Sequence, residues 1–109
     1  MIDWDRVSDL RSEIGEEGFT EVIALFLEET DEVIARLTGT SGGHLGSDLH
    51  FLKGSALNLG FRELAALCQE GERHCNAGQA GIMDLAPLLQ LYRDSKAAFE
   101  TGLRQPSAA

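Results

Sequence analysis

The residues best placed to do chemistry lie in one short stretch, "SDLHFLKGSALNLG" at residues 47–60, where His50 is followed by Lys53 three places on and Gly54 four places on. On a helix, positions three and four apart are neighbours, so these side chains share a face. The apolar residues Leu45, Leu49, Leu52, Ala56 and Leu59 form another stripe. At about 100° per residue, His50 falls roughly 140° from the centre of that stripe, which places it toward solvent. A neutral imidazole nitrogen is a good nucleophile for phosphorus, and a compact ammonium one turn along can balance charge on a phosphoryl group in transfer. A glycine in an exposed helix interior costs about 1 kcal/mol against alanine. Clearance for another protein's surface to reach the imidazole would offset that cost. Taken singly, a core histidine, a solvated lysine and a kink-forming glycine are bland alternatives. Together the three describe a phosphoryl acceptor open to a visiting protein, with Ser47, Gly46 and Leu57 as neighbours of His50 on that face.

Other candidates carry less. Cys68 and Cys75 are seven residues apart, about 10 Å along a helix axis and beyond disulfide reach. "CQEGERHC" offers two thiols and His74 but lacks the close pairing of a structural zinc site, so no metal is expected. His44 sits among glycines and His74 beside acidic residues, neither in a motif. Eighteen acidic against nine basic side chains give a net charge of −9, the wrong sign for a nucleic-acid footprint. No run approaches the roughly 20 apolar residues of a membrane span, and "MIDWDRVSDL" has neither the basic start nor the apolar middle of a signal peptide. The expectation is a cytoplasmic protein without nucleic-acid or membrane partners.

The elements that must position His50 are helices, because apolar residues recur at three and four almost everywhere and glycine supplies the punctuation. A first short helix is expected from an Asp3 cap through Val7, Leu10 and Ile14 to Gly15. A second carries Phe19, Val22, Ile23, Phe26, Thr30, Val33, Ile34 and Leu37, and "TGTSGG" stops it. Leu25 lies just off its stripe, on a face that could meet a partner. The third runs from between His44 and Ser47 to Gly60, a natural left-handed terminus. The fourth begins at Phe61 and buries Leu64, Leu67, Cys68, Gly71 and Cys75 until "NAGQAG". The fifth, capped by Asp84 with Pro87 in its first turn, carries Leu85, Leu88, Leu89, Tyr92, Phe99 and Leu103. This predicts an all-α chain: an antiparallel up-and-down four-helix bundle with a short additional N-terminal helix, one domain over 1–104 and a frayed tail over 105–109.

The stretch "DLHFLKGSALNLGFRELAALCQEGE" resembles the histidine-containing phosphotransfer (HPt) domains of multistep two-component relays. Their pattern opens with the phosphorylated histidine in an H-x-L-K-G run, places a glycine ten residues after it, then a cysteine and a Leu-Glu pair on the next helix. Here those places hold His50, Leu52, Lys53, Gly54, Gly60, Cys68 and Glu72, with Gly71 where leucine is usual. The motif spans about a quarter of the chain. The resemblance implies a phosphocarrier that takes phosphoryl on His50 from a receiver-domain aspartate or a histidine kinase and passes it to another response-regulator receiver. It implies no kinase activity of the chain's own and no cofactor, magnesium being expected on the receiver only. Its partners would be receiver domains and a sensor or hybrid kinase.

For Glu72 the resemblance implies a carboxylate that orients the imidazole through Nδ1 and leaves Nε2 to attack; the alternative is an ordinary surface glutamate. Two rival functions also stand. A non-phosphorylated helical adaptor would bind receivers without needing His50, Lys53 and Gly54 together. A dimerisation and phosphoacceptor piece of a kinase would show a dimer seam and an acidic residue after the histidine, where Phe51 stands. We expect a monomer, and Met1 with the short tail suggests a small separate protein.

Overall fold

The computed structural model of the protein describes residues 2–37, 45–78 and 84–104. They form four helices: α1 Trp4–Leu37, α2 Leu45–Leu59, α3 Arg62–Asn76 and α4 Ala86–Arg104. Among the described residues the only strand-like feature is one isolated bridge between Ile2 and Phe61. The chain is all-helical. The "TGTSGG" stop, His44, the last three residues of "NAGQAG" and the 105–109 tail fall outside the described residues.

The apolar stripes meet in one core. Val7, Phe19, Ile23 and Val33 of α1, Leu49, Leu52, Ala56 and Leu59 of α2, Leu64 and Cys68 of α3, and Leu88, Tyr92 and Phe99 of α4 are all buried in it. α2 packs most extensively on α3 and also on α1, while α3 meets α4. The sequence explains the turn between α2 and α3. Gly60 adopts φ +79°, the Gly60 amide bonds the Leu57 carbonyl at 3.4 Å, and the Phe61 amide reaches back to the Ala56 carbonyl at 2.7 Å. This pair of bonds is a Schellman cap, which satisfies carbonyls the helix end would leave open. It also points Phe61 into the core, edge-on to Phe99 with ring centroids 5.4 Å apart. The Asp3 amide bonds the Gly60 carbonyl at 2.7 Å. A Cβ on Gly60 would lie 2.7 Å from the Asp3 carbonyl oxygen, so this residue must be glycine for two reasons at once.

The expected end of a first helix at Gly15 falls at a break in helical geometry. Trp4–Leu37 is continuous except at Gly15, whose φ 77° and ψ 166° are non-helical. A glycine can take that conformation without a Cβ clash. Arg11 bridges the kink, pairing with Glu16 at 3.1 Å and lying 4.6 Å over the Phe19 ring. Helical geometry is thus interrupted at Gly15, where the glycine punctuation places the end of the first helix, and it resumes after it.

α4 is held by contacts at both ends and in its middle. The Asp84 carboxylate accepts from the Ala86 amide at 3.0 Å, the cap its position suggested. Tyr92 donates its hydroxyl to Asp31 of α1, and Lys96 meets the same carboxylate at 2.8 Å and 3.1 Å. Burial, this bond and the Asp31 charge push the Tyr92 hydroxyl well above the usual phenol range. Near the C-terminus, Gly102 receives the single tryptophan. Trp4 stacks on Phe99 at 5.8 Å, and a Cβ on Gly102 would come within 2.2 Å of the indole. Gly102→Ala should therefore push the indole from its stack. The helix-propensity gain of about 1 kcal/mol is smaller than the lost aromatic stacking and burial, so the net cost should be about 1–2 kcal/mol. Chemical denaturation measures this, and a red shift of Trp4 emission reports the displaced ring; an unshifted spectrum would refute the contact.

Candidate functional site

α2 turns its buried stripe inward and carries His50 on the outside, with 73% of the histidine side chain exposed. Lys53, one turn along, is half-buried, with its side chain 24% exposed. Across the groove, α3 supplies Glu72 at 19% side-chain exposure. The close packing of the two helices rests on small residues. A Cβ on Gly46 would sit 3.7 Å from the Cys75 Cβ, and Cys68, one turn before Glu72, is fully buried.

Glu72 contacts both members of the sequence motif. Its Oε2 lies 3.2 Å from His50 Nδ1 and its Oε1 lies 3.0 Å from Lys53 Nζ. Burial opposes ionisation of this carboxyl, but hydrogen bonds from Lys53 and His50, together with their charges, outweigh it and hold the group below its ordinary range. With a carboxylate on Nδ1, that nitrogen carries the proton and Nε2 keeps the lone pair. Beneath the trio, burial first and the Glu72 charge second push the Cys68 thiol up to about 12, although Lys53 draws it down. Cys68 is thus a neutral packing group and no nucleophile. It and Cys75 are free thiols.

The remaining expected residues divide by environment. Ser47 is exposed, and Leu57 and Leu25 are 56% and 52% exposed. Gly54 is exposed, has no left-handed φ, and has nothing within 4 Å of an added Cβ. No internal contact or backbone demand explains that glycine. Gly46 is different: it is half-buried and its bare side faces Cys75, so packing between α2 and α3 accounts for it. His74 lines a groove of about 270 Å³ with Leu67, Gly71, Leu85 and Pro87 between α3 and the start of α4. That groove opens where Gly71 stands in place of the usual leucine.

Sequence reasoning missed the Lys53–Glu72 pair, having set Lys53 toward the phosphoryl oxygens alone. The signal was available, because a carboxylate that reaches His50 from the next helix also reaches a lysine one turn away. Phe51 was also passed over as a surface feature; it is 39% exposed beside His50.

Comparison with known proteins finds a family match. The sequence model of the Hpt domain matches residues 21–105, a span that begins within α1 and takes in α2, α3, α4, His50, Lys53 and Glu72. No curated protein and no solved structure matches the chain. The family match over most of the chain, on an all-helical frame that holds an exposed histidine against a carboxylate and a lysine, shows that this protein belongs to the HPt domain family, the phosphocarrier modules of two-component phosphorelays.

Proposed function

We propose that His50 accepts a phosphoryl group from the aspartyl phosphate of a receiver domain, or from a kinase, and relays it to a second receiver. The observation that carries this reading is the exposed imidazole whose Nδ1 is engaged by Glu72 at 3.2 Å beside the open surface of Gly54. In the accepting step the Nε2 lone pair attacks phosphorus, a P–N bond forms, the P–O bond to the aspartyl group breaks, and the aspartate leaves as a carboxylate. The ring becomes an imidazolium that keeps its Nδ1 proton, and the Glu72 carboxylate balances the charge. Lys53 has three donors. It can hold Glu72 with one and offer the others to the phosphoryl oxygens. Return of the group to a receiver reverses these bonds, and magnesium belongs to the receiver's own acidic site.

The antiparallel bundle arrangement, a monomeric state and a cytoplasmic location fit this role. The test is to offer the protein a panel of phosphorylated receiver domains from its own genome and record which lose label to it. Acid-labile label should appear on His50, and label on another residue would overturn the assignment.

Gly54 supplies a second expected outcome. Alanine there should stabilise α2 by up to about 1 kcal/mol, whereas Gly54→Gln should obstruct docking and lower receiver-dependent transfer about tenfold or more while thermal stability holds. Normal transfer in Gly54→Gln would remove the clearance argument.

A further inference from the structure

One face of α1 carries a single sign of charge past the phosphoacceptor. Between Arg11 and Arg36 the chain has eight acidic residues and no lysine or arginine. Glu16 pairs with Arg11 and Asp31 with Lys96. Among the described residues no cation pairs with Glu21, Glu28, Glu29 or Glu32. Leu25, half exposed, has these four as its helical neighbours at −4, +3, +4 and +7. Phe51, adjacent to His50, sits in a shallow groove lined by Glu29, Glu32, Val33 and Arg36. Arg36 is committed to Asp48 at 3.1 Å, so it does not neutralise the glutamates. Leu25, Glu29, Glu32 and Phe51 therefore join into one surface that ends at His50.

Two costs are built into that surface. Exposed leucine and phenylalanine leave apolar area in water, and unpaired glutamates on one face repel each other. A basic partner with an apolar centre relieves both. A second copy of this chain would bring like charge against like charge, and nucleic acid would do the same. We propose that the Leu25–Glu29–Glu32–Phe51 face selects, among receiver domains, those presenting lysine or arginine side chains around an apolar contact. This rests on the reading of His50 as phosphoacceptor and gives that reading its partner chemistry. Selection of this kind acts mainly on encounter, raising the association rate and suppressing receivers of the wrong charge.

The test compares the wild type with Glu29→Lys/Glu32→Lys and with the milder Glu29→Gln/Glu32→Gln. Phosphoramidate, a small donor that needs no docking, should label His50 equally in all three. With the phosphorylated receivers of its own genome as probes, the fastest donors to wild type should carry basic residues at the contact. For these, charge reversal should lower the second-order transfer rate about tenfold or more at about 50 mM salt, with the amide variant intermediate. The gap should close at about 0.5 M salt, where screening shortens the reach of charge, and the rate at saturating receiver should stay unchanged. Failure of phosphoramidate to label His50 would overturn the acceptor reading beneath the proposal. Normal direct labelling with receiver transfer that ignores both salt and charge reversal would overturn the charge selection alone. A wild-type dimer dissolved by Leu25→Asp would mean that a second copy covers this face and would also overturn it.

Discussion

His50→Gln should leave a folded helical protein that takes no phosphoryl from any receiver or from phosphoramidate. The side chain is 73% exposed, and surface replacements usually change stability by less than about 0.5 kcal/mol. Its partner Glu72 keeps Lys53 after the substitution. Glutamine retains polarity and similar reach but has no nucleophilic nitrogen, since its amide lone pair is delocalised. Loss of label should therefore be complete, while circular dichroism and the denaturation midpoint stay near wild type. Acid-labile label in the variant would reassign the acceptor to His44 or His74. Loss of label accompanied by unfolding would instead show that His50 is structural, contrary to its exposure.

Much of the frame behind that expectation was legible in the sequence. The stripes Leu49, Leu52, Ala56 and Leu59, and Leu88, Tyr92 and Phe99, are buried as their spacing demands. Gly60 and Asp84 perform the capping that their positions indicate. These features are local, set by a helical period or by one residue's backbone freedom. What escaped was longer in range. The indole of Trp4 against Gly102 joins residues 98 positions apart, and Tyr92 with Lys96 on Asp31 joins helices at the two ends of the chain. Periodicity says which face of a helix is buried but not which partner it meets. Gly15 belongs with the local features, since the glycine punctuation marks it and its φ 77° and ψ 166° interrupt the helix there.

The candidate site divides the same way. Exposure of His50 and the shared face with Lys53 and Gly54 follow from positions on one helix. The contacts of Glu72 require a second helix at a particular rotation, which spacing permits but does not fix. The small residues Gly46, Cys68 and Cys75 mark the α2–α3 approach. They set how near the carboxylate comes.

That carboxylate carries the second large effect. Glu72→Ala should slow transfer more than Lys53→Ala, because it removes at once the group that fixes the His50 tautomer and the group that holds the ammonium in place. Lost electrostatic and positioning contacts of this kind commonly cost about 10²–10³ in rate, so we expect about 100-fold or more for Glu72→Ala. Lys53→Ala should cost about tenfold, since the oriented imidazole survives. Glu72→Gln should fall between wild type and alanine: its amide oxygen still accepts from Nδ1, but it has no charge to hold Lys53 or to balance the imidazolium. The double variant should lose less than the product of the single losses, the mark of residues acting as a unit. Acid should remove the charge of this carboxylate as well. A carboxyl held below its ordinary value of 4.5 contributes stability that is fully present above that value and is lost as the pH falls through the folded one. Histidine ¹⁵N spectra separate positioning from mere packing: wild-type His50 should be found with its proton on Nδ1, and Glu72→Ala should shift toward the Nε2 tautomer. An unchanged tautomer ratio in Glu72→Ala would show that the carboxylate does not orient the ring, leaving Lys53 as the only charged support of His50.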